Sequence, residues 1–145
     1  MNTTFLSRSI VILFFCSLGV ATGFAGQRSN EVKFKGATVA AIEENLAIGL
    51  STGNAGLQAS ASQVVRNLKA LLPEQDFSLL VIPLMRIVKD ANADIQVRMI
   101  GALALHDLQS ARGDFAILRA ARFETNERLR RLCTWLAYEQ ISRDK

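Results

Sequence analysis

The chain has 145 residues, with 17 Lys and Arg against 13 Asp and Glu, and its aromatic share is only 7%. That length fits one domain. The charge excess is small and aromatic side chains are few, which argues against nucleic acid as a partner.

The segment from Met1 to Ala25 has the pattern of an export signal. "MNTTFLSRS" carries Arg8 and no acid, "IVILFFCSLGVA" is an unbroken apolar run, and Gly23 and Ala25 put small residues before a cut near Ala25. A retained anchor is the alternative, but a span needs ~20 apolar residues and this run is shorter. Lipidation at Cys16 is disfavoured by the bulky phenylalanines before it. The expected mature chain is therefore exported, periplasmic or secreted, with no stable membrane span. Its one remaining cysteine, Cys133, cannot form an internal disulfide. Residues 26–36, with "EVKFK" at Glu31–Lys35, read as an N-terminal linker or fraying arm.

Helical periodicity dominates from Ala37 onward, interrupted by Pro73 and Pro83 alone. Three apolar stretches, "VAAIEENLAIGL", "FSLLVIPLMRIV" and "DFAILRAARF", are each followed by a turn, "STGN", "KDANAD" or "ETNE". Asn54, Asp94 and Asn126 are candidate N-caps for the helices that come next. Those second helices align on Leu57, Val97 and Leu129. Small residues follow four positions on (Ala61, Gly101, Cys133), with apolar pairs at seven and eight (Val64–Val65, Ala104–Leu105, Leu136–Ala137). At about 100° per residue these offsets share one arc about 100° wide, the expected buried face. The anchors recur about every 30–40 residues, a period that marks stacked helical hairpins. The expected fold is all-α, a short α-solenoid without sheet, with repeats at about 37–72, 76–109 and 114–142. In "QSARGDFAI", Gly113 is expected to end a helix or make the tight turn, and Asp114 to cap the next helix.

"IPLMRIVKDANADIQVRMIGALALHDL" (82–108) resembles the HEAT repeats: Pro83 early in the first helix, Asp90 at the turn, then Val97–Arg98 and an Ala/Leu-rich second helix. The resemblance covers Ala37 to about Ile141 and extends to small exported bacterial HEAT-like proteins of undefined role. Departures are the longer turn around Asn92, Gln58 where the other repeats have arginine, and the missing proline in repeat three. The resemblance implies that Arg98 and Arg130 are structural, bonding turn acids and backbone, with Asp90 the partner of Arg98 and Glu124 of Arg130. Arg112 and Asp114 match an inter-repeat loop and are taken as structural. Cys133, at a core position, reads as a small buried hydrophobe.

The resemblance further implies that the second helices line a concave face. His106, the only histidine, comes nine positions after Val97, on the opposite side of the helix wheel, and is expected on the surface. Arg66 and Tyr138 share its column, and Met99 and Arg131 occupy a neighbouring one. Trp135 lies on the flank, either half-buried against a neighbouring helix or exposed as an anchor for a partner. One histidine and no spare cysteine cannot make a zinc set, and no phosphate-cradling loop or C-x-x-C occurs. No cofactor and no catalytic group are assigned.

The expected function is that of an exported non-catalytic interaction or scaffold module. It would bind a polypeptide of the envelope or secreted fraction through Arg66, Met99, His106, Arg131, Trp135 and Tyr138. Two alternatives remain: an accessory, chaperone-like or lyase-type protein holding a substrate on the same face, and a module that associates with itself.

Overall fold

Polar side chains placed just ahead of apolar stretches start most of the helices. The computed structural model describes residues 36–143, six helices joined by short turns: α1 (Gly36–Ser51), α2 (Ala55–Leu71), α3 (Ser78–Lys89), α4 (Ile95–Leu108), α5 (Ala111–Phe123) and α6 (Glu127–Arg143). Among the described residues there is no strand, so the fold class is all-α. The leader, its cut near Ala25 and the Gly26–Lys35 segment lie outside the described residues.

Asn54 Oδ1 accepts from Leu57 N at 3.0 Å, Asp94 Oδ1 from Gln96 N at 2.7 Å, and Asn126 Oδ1 from Arg128 N at 3.1 Å. Each such cap stabilises by about 1 kcal/mol. The start of α5 differs from the sequence expectation. Ser110 is its cap, accepting from Gly113 N at 3.1 Å, and Gly113 lies inside the first turn. A Cβ on Gly113 would meet Ser110 Oγ at 2.9 Å and the Leu105 carbonyl at 3.3 Å, so glycine there serves close approach. Gln109 makes the tight turn instead, with φ of 53°. Helix α3 has no local side-chain cap, because Phe77 holds that position. Its donor is met from α1, where Glu43 Oε1 accepts from Leu79 N at 2.9 Å.

Neighbouring helices in the chain pack as hairpins: α1 on α2, α3 on α4, α5 on α6. First helices also meet first helices (α1 with α3, α3 with α5), and second helices meet second helices (α2 with α4, α4 with α6). Helix α4 touches four others and buries both flanks. Around it lie Val65, Leu80, Leu84, Ile117 and Leu136, each without solvent contact. Gly101 lets α4 close on α3: a Cβ there would meet Ile87 Cγ2 at 3.2 Å.

One anchor of the expected interior is wrong. Val97 and Leu129 are 4% and 0% exposed, but Leu57 is 53% exposed. In α4 and α6 the flank bearing these anchors is met by the second helix before it, as contacts further along that flank show: Asp107 reaches back to Arg66, and Glu139 and Arg143 reach back to His106. No hairpin precedes α2 among the described residues, so Leu57, Val64 and Leu71 stand exposed along it.

The arginine pairing also needs correcting. Arg98 is buried and does not meet Asp90. Its Nε and Nη2 donate to the Val88 carbonyl at 3.0 and 2.8 Å, and Nη2 donates to Glu124 Oε2 at 2.5 Å. It thereby ties the end of α3 to the cap of α5. Asp90 is exposed and serves its own turn, accepting from Asn92 N at 2.9 Å. With Glu124 engaged, Arg130 pairs with Glu127 on its own helix and stays exposed. Gln58, the departure in repeat one, does the same local task as Arg98. Its Nε2 donates to the carbonyls of Leu50 and Thr52 at 3.2 and 2.6 Å, at the end of α1.

Candidate binding groove

Side chains of α2, α4 and α6 surround a groove of about 560 Å³. Arg66 and Asn67 come from α2, Leu103, His106 and Asp107 from α4, and Trp135, Glu139 and Arg143 from α6. These positions meet because each second helix lies beside the next, and positions nine, ten and fourteen past the anchor face across that seam.

Arg66 Nε donates to Asp107 Oδ2 at 2.6 Å, a half-exposed pair that joins α2 to α4. At the second seam the expectation for His106 is overturned. It is buried, not on the surface, because α6 covers it. Arg143 Nη2 lies 2.9 Å from Nε2 and 3.2 Å from Nδ1, and Glu139 Oε2 lies 3.5 Å from Nε2. Burial and then the Arg143 charge lower its pKa below 6.5, outweighing Glu139, Asp107 and Asp114, which pull upward. The ring is therefore neutral at neutral pH and accepts from the guanidinium.

Of the six residues expected to bind, three line this groove: Arg66, His106 and Trp135, the last more than half exposed. Met99 is partly buried against the core. Arg131 points to solvent and pairs with Glu127 at 2.7 Å, and Tyr138 is exposed outside the groove. Asp107, Glu139 and Arg143 were missed. Asp107 and Glu139 occupy the same position, ten past the anchor, so extending the alignment by one column past His106 reaches both.

Gly49-Leu50-Ser51-Thr52-Gly53 has the G-x-S-x-G spacing of a nucleophile elbow, a match that the sequence expectations above passed over. That motif acts from a strand-to-helix turn; here Ser51 ends α1 and its Oγ donates to the Ala47 carbonyl at 2.8 Å. The side-chain partners of His106 are Arg143 and Glu139, not Ser51. Among the described residues, no group of three or more His, Cys, Asp or Glu is placed to hold a metal ion. Nor is any helix among them long and apolar enough to cross a membrane.

No family model matches the chain, and neither a curated protein nor a solved structure matches it.

Proposed function

We propose that the chain is a short HEAT-like α-solenoid, exported after cleavage near Ala25, and that it works as a non-catalytic interaction module. It holds a polypeptide segment of an envelope or secreted partner along the groove of α2, α4 and α6. The observation that carries this reading is the exposed Trp135 set beside donors and acceptors from all three second helices. An extended peptide backbone needs both kinds of group, and an aromatic ring gives it an anchor. Opposed charges in the groove, Asp107 and Glu139 against Arg66, Lys69 and Arg143, keep it close to electroneutral, so it suits a segment of mixed charge.

The test places a photo-crosslinking residue at Gln63, on the groove wall, in cells that export the full chain. A crosslinked polypeptide is expected, and its yield should fall at least about tenfold with Trp135→Ala. A second probe at Glu44, exposed on α1, should capture nothing in common. Equal capture from both probes, or capture indifferent to Trp135→Ala, rejects the reading.

A further inference from the structure

Helices α3 and α5 pack side by side and present an outer face of mixed apolar and basic side chains. On α3 it carries exposed Leu79, Ile82, Arg86 and Lys89. On α5 it carries Phe115, Arg119, Arg122 and Phe123, the two phenylalanines being 65% and 75% exposed. Between the helices lies a second groove of about 390 Å³ with Val88, Ala116 and Ala120 among its lining.

Charge separates this face from the second-helix groove. Arg86, Lys89, Arg119 and Arg122 form no ion pair among the described residues. Helix α3 contains no acid at all, and the one acid of α5, Asp114, accepts from Gln140 on α6 at 2.6 Å. Glu124, at the groove's edge, is held by Arg98. The acids flanking α3, Asp76 and Asp90, sit in turns beyond its ends. The outer side of α1, by contrast, carries Glu44 and no cation.

We propose that the α3/α5 face seats the protein on an anionic lipid surface. Cations interleaved with protruding aromatic and aliphatic side chains match both layers of such a surface: guanidinium and ammonium groups meet lipid phosphates, and the apolar side chains enter the boundary beneath. Phe115 and Phe123 are eight residues apart, about 12 Å along the axis, so α5 lies parallel to the plane with both rings inserted. Phe115 and Phe123 border the groove, yet most of each ring stands open to solvent, which favours a soft lipid boundary over a single acidic helix laid between α3 and α5. The inference does not rest on the second-helix groove binding a peptide.

The test uses the full chain and two kinds of vesicle: phosphatidylcholine alone, and phosphatidylcholine mixed two to one with phosphatidylglycerol. Because "IVILFFCSLGVA" can itself enter bilayers, the readout is placed on the face: Phe115→Trp in a Trp135→Phe background, with brominated lipid as quencher. Residue 115 should shift to the blue and be quenched on phosphatidylglycerol vesicles, but not on phosphatidylcholine alone. Arg86→Glu with Arg119→Glu should lower the quenched fraction at least about tenfold. Arg128→Glu with Arg131→Glu, an equal change of charge on α6, should leave it unchanged. The proposal fails if residue 115 stays unquenched on anionic vesicles, or if both charge reversals act alike. It fails too if the blue shift appears without lipid as protein concentration rises, which would make the face a contact between copies.

Discussion

Among the described residues, Arg98 and Glu43 are two buried charged residues whose neighbours dictate what a substitution does. Removing the guanidinium of Arg98 strands the Glu124 carboxylate and the Val88 carbonyl in a site with little water. Arg98→Ala is expected to destabilise by about 3–5 kcal/mol in urea unfolding, the range for breaking a buried pair from one side. Arg98→Met with Glu124→Leu should recover much of that loss. Two carboxyl groups then set opposing pH slopes. Burial by itself would raise the pKa of Glu124, but bonds from the Asn126 backbone and Arg98 outweigh it, and the net value lies below 4.5. Its contribution is therefore full above pH 4.5 and is lost as pH falls through the depressed value. Glu43 is raised above 4.5 by burial, against the Leu79 bond and with help from Asp76. The stability it lends is full below pH 4.5 and is lost as pH rises through the raised value. Glu43→Gln keeps an acceptor for Leu79 and should flatten the decline above pH 4.5 while leaving the acid side to Glu124. Glu43→Ala should cost about 0.5–2 kcal/mol below pH 4.5, since α3 has no local cap, and less as pH rises through the raised value. Unfolding followed at several pH values separates these outcomes.

At the scale of the helix, the α4–α5 junction is the place where local preference and fold disagree. Gln109 holds a left-handed backbone at φ of 53°, and its side chain is exposed. Gln109→Gly should stabilise by up to about 1 kcal/mol, read as a raised urea midpoint with unchanged slope. The caps Asn54, Asp94 and Asn126 were legible because capping is a local bond between a side chain and a nearby amide. The cap of α3 was not, since its carboxylate comes from 36 residues away. The same limit explains Arg98: its acid lies on the next hairpin, where a pattern written within one repeat cannot point. His106 was misjudged for a related reason. A helical wheel separates inward from outward for a helix with one neighbour, whereas α4 is enclosed by α2, α3, α5 and α6.

For the molecule as a whole, position in the series decides which anchors carry stability. Leu129→Ala removes a side chain with no solvent contact and should cost about 2–5 kcal/mol. Leu57→Ser, at the matching position of α2, should change stability by about 0.5 kcal/mol or less, because that flank already faces water. Side-by-side unfolding of the two variants checks that the Leu57 flank of α2 is uncovered, as it is among the described residues. Of the candidate groove, the column shared by Arg66 and His106 could be read from helical phase, but not the Arg66–Asp107 pair or the burial of His106 beneath α6, which depend on how closely successive second helices approach.

Cys133 supplies a clock for the C-terminal hairpin. The thiol has no solvent contact, and burial, with Glu124 adding to it against Arg98, pushes its pKa up to about 11. An alkylating reagent needs the thiolate, so the closed protein should be inert at this sulfur and every modification event must record an excursion in which α6 lifts away. Peptide mass spectrometry resolves Cys133 from Cys16. The rate of labelling thus times how often the last hairpin comes loose, and Arg98→Ala should quicken it if the Arg98–Glu124 tie is what keeps that hairpin seated.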